Sequence, residues 1–256
     1  MDARDIEHYV QPERYDLVYS WYTDDLAFYV ARAKEAAGPV LEAGCGTGRI
    51  LLPTLQAGVD IDGIDIHPGM LEVLKGKAAA LGLTPRVTLA DMRDFTMPRR
   101  YALVTIPFRA FMHLLTTADQ IAALRCIREH LVPGGTLVFN LWFPSFERIV
   151  AAGDEMDLER EFDDPASGLP VAIYARNRYD RMHQRLEGER EVRVSDARGY
   201  VSETLRDRLR IRWTFVPEME LVLGAAGFSR WELRGGFDGR PYESHTQEMV
   251  WTAWKD

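Results

Sequence analysis

The stretch from Val40 to Gly48 reads VLEAGCGTG and decides the fold of this chain. Its apolar start follows Gly38-Pro39, which predicts a short buried strand, and an apolar helical pattern begins after its last glycine. Glycines in alternate positions allow the backbone to turn with positive φ, and they let a bound molecule approach without a Cβ in the way. The stretch therefore predicts a strand, a glycine turn and a helix, with a ligand at the carboxyl end of the strand.

The glycine spacing bears on the kind of ligand. A dinucleotide-binding turn spaces its glycines as G-x-G-x-x-G, whereas here the third glycine comes one residue early and Arg49 stands where the last one is expected. This spacing disfavours NAD. An ordinary strand-to-helix turn without a ligand remains open from this stretch alone.

The same stretch resembles motif I of the class I S-adenosylmethionine-dependent methyltransferases, in which an acidic residue is followed by G-x-G-x-G. Glu42, Gly44, Gly46 and Gly48 match that motif position by position. The resemblance implies that these residues, with Cys45 in the loop, bind S-adenosylmethionine, which leaves as S-adenosylhomocysteine.

The composition favours a soluble enzyme with a small-molecule substrate. The 256 residues are 46% hydrophobic and 27% charged, which is enough for a full core, and the net charge of −8 disfavours a nucleic-acid partner. No apolar run approaches the roughly 20 residues of a membrane span, and the first residues lack a signal-peptide pattern, so we expect a cytoplasmic protein without a membrane partner. The two cysteines and six scattered histidines have no metal-binding spacing, so no metal is predicted.

Two further acidic residues end predicted strands, and each begins a phrase that resembles another methyltransferase motif. Asp65 ends a strand predicted over 59–66, where doubly wound folds place a carboxylate that accepts from ribose hydroxyls. Asp91 follows a strand predicted over 86–90, and the resemblance implies that it accepts from the exocyclic amine of adenine. Asp94 is interpreted as a solvated turn or cap residue. The resemblance adds four neighbours to the cofactor site: Ile66, Met70, Met92 and Arg93.

The fourth predicted strand, 101–106, departs from the family pattern. Many relatives carry an aspartate at its second position, where this chain has Ala102. The departure favours the alternative of a protein that binds the cofactor without catalysis. Ile106, at the end of the strand, belongs to the cofactor site that the resemblance implies.

The segment after this strand is where the substrate is expected. His113 is a candidate base because its ordinary pKa of about 6.5 would let it accept a proton near neutral pH, and a histidine that merely orients the loop is the alternative. Phe108 and Arg109 are predicted to contact the substrate. Arg109 would pair with an anionic group, or else form a surface or lid salt bridge.

Aromatic residues crowd the segment before the first strand, from His8 and Tyr9 to Tyr29. Packing of an amphipathic helix on the sheet explains most of them. In families that resemble this one, however, the segment folds over the cofactor and the substrate, and tyrosine offers an apolar face with a polar end. Tyr15 and Tyr29 are therefore candidates for such a lid, with Tyr29 near the cofactor and Tyr15 as an alternative base.

The sequence pattern changes after the fifth predicted strand, 136–142, which follows a Pro-Gly-Gly turn at 133–135. Residues 154–169 are charged and rich in helix and strand breakers. Residues 171–215 alternate as antiparallel strands, with predicted turns at Glu187-Gly188 and 197–199. This β-rich part is interpreted as a substrate cap or a dimer surface. Three residues in or before it are candidates for the substrate pocket: Trp142, Arg212 and Trp213.

The order of elements predicts an α/β fold, a doubly wound, seven-stranded, mostly parallel sheet of the Rossmann-like methyltransferase type with an antiparallel β insertion. The last strand is expected to be antiparallel. We divide the chain into an aromatic lid (1–37), a cofactor-binding core (38–144), the β-rich insertion (145–215) and a return to the core sheet (216–256).

The layout as a whole resembles the methyltransferases that dimethylate the amine of deoxyamino sugars, and related bacterial enzymes of natural-product chemistry. It implies in-line methyl transfer from the sulfonium to a nitrogen, or an oxygen, of a small molecule. A non-catalytic S-adenosylmethionine-binding protein and an NAD-dependent oxidoreductase are the alternatives. A homodimer through the β insertion is a further expectation.

Overall fold

A seven-stranded sheet forms the centre of the computed structural model, which describes residues 11–151 and 153–256. Its strands are β1 (Val40–Ala43), β2 (Ile61–Asp65), β3 (Arg86–Leu89), β4 (Tyr101–Ile106), β5 (Leu131–Leu141), β10 (Arg230–Arg234) and β11 (Met249–Trp254). They lie in the spatial order β10-β11-β5-β4-β1-β2-β3. The strand β11 is antiparallel to both neighbours, and β1 to β5 pair in parallel. The predicted fold class is confirmed. His8 and Tyr9 lie outside the described residues.

Helices pack on both faces of this sheet. They are α1 (Tyr15–Tyr19), α2 (Leu26–Glu35), α3 (Leu51–Gln56), α4 (Pro68–Ala80), α5 (Thr117–His130), α6 (Phe146–Ala151) and α7 (Val216–Ala225). One core cluster joins α2, α3 and α4 to the sheet, and another joins α5 and α7 to it. Because both faces are covered, the central strands are nearly continuous runs of buried residues. No helix in the described part of the chain has the length and apolarity to cross a membrane.

A second, four-stranded antiparallel sheet follows α6. Its strands are β6 (Asp157–Asp163), β7 (Pro170–Asp180), β8 (Arg185–Ser195) and β9 (Val201–Arg212), in that spatial order. The inner face is apolar and packs against Val18 of α1. The outer face carries ion pairs such as Arg176 with Glu189 and Arg193 with Glu191. The antiparallel insertion predicted for this region is therefore present.

Three local predictions differ from the structure. Glu187-Gly188 is not a turn but lies within β8, where a Cβ on Gly188 would come within 2.6 Å of Asn177 Oδ1. The glycine lets the Asn177 side chain of β7 lie close to the β8 backbone. The breaker-rich stretch 154–169 contains β6, an edge strand whose exposed residues give no alternating pattern. The strand β5 begins at Leu131, and the Pro-Gly-Gly sequence lies inside it as an irregularity in the pairing with β4.

Asp62 in β2 is the buried acceptor of a charge network at the amino edge of the sheet. It accepts from Arg86 Nε at 2.6 Å, Arg99 Nε at 2.8 Å and the Tyr101 hydroxyl at 2.8 Å. Burial alone would raise the pKa of this carboxyl, but the three donors outweigh it and the pKa lies below the ordinary value of 3.8. Asp60 pairs with the same two arginines, yet its side chain is 52% exposed.

We expect Asp62→Ala to lower the free energy of unfolding at pH 7 by about 2–3 kcal/mol, because it leaves partly buried donors without their acceptor. The control Asp60→Ala should cost no more than about 1 kcal/mol, since its pairs are exposed. The stabilisation by Asp62 is present above the ordinary carboxyl pKa and is lost as the pH falls through the lower folded-state pKa. The free energies of unfolding of the two variants should therefore become equal in acid. Urea unfolding across pH measures this, and equal losses at pH 7 would contradict it.

Candidate functional site

A cleft opens at the carboxyl edge of the seven-stranded sheet, where β1, β2, β3 and β4 end. It holds about 960 Å³ of space that no protein atom fills, its mouth included. Eleven of the residues predicted for the site line this cleft: Tyr15, Gly44, Gly46, Asp65, Ile66, Met70, Asp91, Met92, Arg93, Phe108 and His113. The sheet thus brings together side chains from loops that are up to about a hundred residues apart in the sequence.

The glycine loop after β1 has the backbone conformation that its sequence predicts. Gly44, Gly46 and Gly48 have φ values of 78°, 51° and 83°. A Cβ on Gly44 would lie 2.9 Å from Ala110 Cβ, whereas a Cβ on Gly46 would meet nothing within 4 Å. The first glycine is therefore required by packing, and the second leaves the floor of the cleft open to a ligand.

Asp65 ties two loops of the cleft together. Its Oδ2 accepts from the Gly46 backbone N–H at 2.7 Å, and its Oδ1 accepts from the His67 N–H at 2.8 Å. Burial raises the pKa of this carboxyl, although the two backbone donors oppose the change. A carboxylate has about four acceptor positions, so Asp65 retains capacity for the hydroxyl groups of a ligand.

Asp91, which follows β3, also lines the cleft and pairs with Arg93. The Arg93 Nε lies 3.0 Å from both oxygens, and the Arg93 backbone N–H donates to Oδ1 at 2.9 Å. Burial would raise the pKa of Asp91, but these hydrogen bonds outweigh it and the pKa is lowered. Arg93 also binds Asp119 at the start of α5, with 3.0 Å between Nη1 and Oδ1. The carboxylate is thus charged and fixed in orientation.

Glu42, at the end of β1, carries a buried oxygen that lacks a partner. The residue is 2% exposed, and its Oε2 accepts no hydrogen bond from the described residues. Burial raises the pKa of this carboxyl, and the Arg49 charge opposes the change. A buried carboxylate oxygen in this condition is suited to a cationic or hydrogen-bond-donating ligand.

His113 lies at the end of a 3₁₀ turn, Ala110–His113, that follows β4. Its Nδ1 lies 3.2 Å from the Arg210 carbonyl oxygen of β9. Because a carbonyl only accepts, Nδ1 carries the proton and Nε2 is the acceptor of the neutral ring. Burial lowers the pKa of His113 to about 4, which argues against protonation of this ring near neutral pH.

Tyr15 projects from α1 into the same cleft. Its ring lies 4.7 Å from the Tyr19 ring, between centroids, and the residue lines the cavity beside Asp65. Burial and the neighbouring Tyr19 raise its pKa well above 10. The phenol therefore keeps its proton at neutral pH, which fits a lid residue and argues against its alternative role as a base.

Arg109 does not lie free to receive a substrate anion. Its Nε and Nη2 donate to Glu248 at 2.9 and 2.6 Å, and its guanidinium lies 5.5 Å from the Tyr22 ring centroid and 5.7 Å from that of Trp142. The second interpretation offered for this residue, a salt bridge, is the one that the structure shows.

Several other predicted residues lie away from the cleft surface. Tyr29 is a fully buried residue of α2, and its hydroxyl donates to Asn140 Oδ1 at 2.7 Å, so it is a core residue and not part of the lid surface. Arg212 is buried and bonds Gln120, Thr214 and Glu218. Three aromatic or apolar residues pack in or against the core of the sheet: Ile106, Trp142 and Trp213. Burial raises the pKa of the Cys45 thiol, which lies beside Gly63 of β2, and Gly48 is buried against Leu52 and Leu74.

Ala102, the departure from the family pattern, lies at the opposite edge of the sheet. Its backbone N–H donates to the Pro39 carbonyl at 2.8 Å, and its Cβ faces Gly38 at the amino end of β1. The residue is therefore remote from the cleft. Its identity gives no support to a non-catalytic protein.

The sequence reasoning missed a polar network behind the cleft. Arg49 donates to both oxygens of buried Asp25, at 2.6 and 2.7 Å, and lies 4.7 Å from the Phe108 ring centroid. Glu248 accepts from Asn140 Nδ2 at 2.6 Å as well as from Arg109. The one signal in the sequence was the arginine directly after Gly48, and nothing in the pattern connects it with Asp25.

Comparison with known proteins relates part of this chain to methyltransferases. A profile described as a methyltransferase domain matches residues 40–135, which contain the glycine loop, Asp65, Asp91 and the turn that carries His113. The chain is 32% identical over 142 residues to a dTDP-3-amino-3,6-dideoxy-alpha-D-glucopyranose N,N-dimethyltransferase of Streptomyces fradiae. That alignment covers 52% of this chain and 53% of the sugar enzyme, about half of each.

Two other similarities cover nearly the whole chain. A cypemycin N-terminal methyltransferase from Streptomyces sp is 26% identical over 242 residues, 93% of both chains. The structure of the CcbJ methyltransferase from Streptomyces caelestis superposes with a TM-score of 0.75 at 27% identity, covering 91% of this chain and 94% of that one. The glycine loop, the two acidic strand ends and the sheet order agree with this similarity to methyltransferases, and the profile match falls on the residues that form the cleft.

Proposed function

We propose that this protein transfers a methyl group from S-adenosylmethionine to the nitrogen of a small-molecule amine. The observation that carries the proposal is a neutral histidine, His113, in the same cleft as the cofactor residues. Relatives that methylate amino groups of sugars and of a peptide N-terminus support nitrogen over oxygen as the acceptor atom. A role in natural-product chemistry rests on these relatives alone.

The cleft and the strand β1 beside it fit the cofactor in four respects. Asp65 retains acceptor capacity for a ribose, and Gly46 leaves open space where a Cβ would stand. Glu42 of β1 has a buried oxygen without a partner among the described residues, which suits an ammonium donor. Asp91 is charged and suits an N–H donor such as the exocyclic amine of adenine, with Met92 beside it. When bound, the cofactor supplies a methyl group that its sulfonium already activates.

The chain then has to orient the acceptor and exclude water. His113 suits orientation, because its Nδ1–H is held by the Arg210 carbonyl and its Nε2 accepts a hydrogen bond at neutral pH. A ring with a pKa of about 4 does not retain a proton taken from an ammonium ion, so the acceptor loses its proton to solvent before transfer. His113 is accordingly proposed as the acceptor-orienting residue, and no side chain as a strong base.

The second sheet has two proposed uses, a cap over the acceptor and a dimer surface. Its contacts with the lid support the cap. Arg14 beside α1 binds Glu203 of β9, Arg190 of β8 lies 5.2 Å from the Tyr19 ring centroid, and Arg160 of β6 lies 3.7 Å from that of Trp21. These contacts hold the aromatic segment over the cleft and would keep water from it. The charged outer face is free for the second use, which remains a prediction.

Acceptor chemistry is tested with a panel of amines, phenols and carboxylic acids. We expect S-adenosylhomocysteine to form, and the mass of the acceptor to rise by that of a methylene group, with primary or secondary amines only. Methylated phenols would move the proposal from nitrogen to oxygen. Binding of S-adenosylmethionine without transfer to any member of a broad panel would favour the non-catalytic alternative.

Replacement of Asp65 tests the cofactor site without an acceptor. We expect Asp65→Ala to weaken S-adenosylhomocysteine binding by about 10- to 100-fold, because hydrogen bonds to a charged group contribute about 1.5–3 kcal/mol. The control is Asp94→Ala, an exposed carboxylate near the predicted adenine position, which should leave the affinity unchanged. Calorimetry that gives Asp65→Ala the affinity of the wild-type protein would remove Asp65 from the site.

Replacement of His113 separates orientation from proton transfer. Loss of a well-placed contact costs up to about 10²-fold in rate, so His113→Ala should lower kcat by that order while S-adenosylhomocysteine affinity stays the same. His113→Gln, whose amide can reach the Nε2 position, should retain more turnover than His113→Asn, whose amide replaces Nδ1.

The pH profile gives a second readout for His113. Because its pKa is about 4, kcat/KM of the wild-type enzyme should rise with pH only as the acceptor ammonium ion loses its proton. An inflection near the ordinary histidine pKa of about 6.5 that disappears in His113→Gln would show instead that the ring acts as a base.

A further inference from the structure

We propose that Glu248 is a positioning residue for methyl transfer, acting through Arg109 on the left-handed turn that carries Phe108 and leads to His113. The proposal rests on the proposed function, because it concerns the acceptor end of the same cleft. It assigns a role to a residue outside the sequence motifs of the cofactor site. Glu248 lies directly before β11, on the far side of β5 from the turn.

The turn after β4 has an unfavourable backbone conformation. Phe108 and Arg109 have φ values of 52° and 65°, and both have a Cβ that disfavours this region. Consecutive left-handed residues other than glycine persist only where the surroundings hold them, and such residues are concentrated at functional sites. An anchor for this turn is therefore required.

The contacts of the Arg109 side chain provide that anchor. Its guanidinium makes two hydrogen bonds to Glu248 and lies over the rings of Tyr22 and Trp142. Glu248 is itself held, because Asn140 of β5 donates to it at 2.6 Å. Asn140 in turn accepts from the hydroxyl of Tyr29 in α2 at 2.7 Å. The turn is thus tied to α2, to β5 and to the start of β11.

The conformation of Arg109 determines what the turn presents to the cleft. The Arg109 carbonyl accepts from the Met112 N–H at 2.8 Å, and this bond begins the 3₁₀ turn that ends at His113. On the other side, the Phe108 ring lies 5.0 Å from Tyr19 and 4.8 Å from Tyr22, between centroids. A change in the backbone conformation of Arg109 would move His113. It would also move the Phe108 ring, on which Tyr19 and Tyr22 pack.

The alternative role for Arg109 is direct binding of an anionic group of the acceptor. The bidentate pair with Glu248 disfavours it, since the carboxylate already neutralises the guanidinium. The anchoring role and the anion-binding role predict different results for Arg109→Ala and Arg109→Gly, which differ only in the Cβ atom.

The test compares Arg109→Ala with Arg109→Gly. Both lack the guanidinium, but glycine adopts positive φ freely whereas alanine does not. If the side chain serves to hold the backbone, Arg109→Gly should retain about ten times the kcat of Arg109→Ala, the factor that corresponds to the left-handed penalty of a Cβ. If the guanidinium binds the acceptor, both variants should lose activity equally, with a raised KM, and the proposal is overturned.

Glu248 is tested by Glu248→Ala and by the double variant Glu248→Ala/Arg109→Gly. Loss of the carboxylate alone should lower kcat with little change in S-adenosylhomocysteine affinity, which Asp65 and Asp91 are expected to govern. The added glycine should restore part of kcat, because the turn no longer needs an anchor. Equal kcat in the single and double variants would contradict the proposal.

A measurement without substrate keeps this test independent of the proposed function. Hydrogen exchange of the amides in 107–113 should be faster in free Arg109→Ala than in free Arg109→Gly, while exchange in β1 and β2 stays equal. Equal exchange in 107–113 overturns the positioning role even if no acceptor is found. A wild-type protein that fails to methylate any amine, but shows the exchange difference, would overturn the proposed function and leave the anchored turn in place.

Discussion

The site depends on one carboxylate that holds two loops at fixed distance. Asp65 accepts from the Gly46 N–H and from the His67 N–H, so the loops that follow β1 and β2 cannot separate without breaking a charge-assisted hydrogen bond. Parallel pairing of these strands brings their carboxyl ends to one edge, but pairing alone does not orient the loops beyond them. The two hydrogen bonds to Asp65 fix the relative positions of these loops, which form the floor of the cleft.

The charged side chains around the cleft differ in how they are paired. Asp91 is satisfied by Arg93 and ionised, whereas Glu42 is buried with an oxygen that no described residue satisfies. Arg49 and Arg109 are each committed to a carboxylate, Asp25 and Glu248. Arg49 and Arg109 thus bring no unpaired positive charge to the cleft, and Asp91 gives it a fixed negative group.

The fold was predictable from the sequence because its signals are local. Buried parallel strands read as apolar runs, and the glycine turn needs positive φ at stated positions, so β1, β2 and β4 were placed correctly. Edge strand β6 was not, because exposure on both sides removes alternation. For the site, Asp65 and Asp91 reach the cleft because each lies at the carboxyl end of a parallel strand. Arg109 was harder, since its partner Glu248 lies 139 residues away in the sequence. The pKa of His113 depends on enclosure by β9, which no local pattern reports.

The helix that bears Tyr15 has five residues, too few to be stable alone in water. It is held from two sides. Asp16 accepts from Thr47 of the glycine loop and from Lys77 of α4, both at 2.6 Å, while Val18 packs into the apolar face of the second sheet. Its folding is thus conditional on neighbours that belong to two separate sheets. The helix α1 should therefore become ordered only when the seven-stranded sheet and the second sheet have come together.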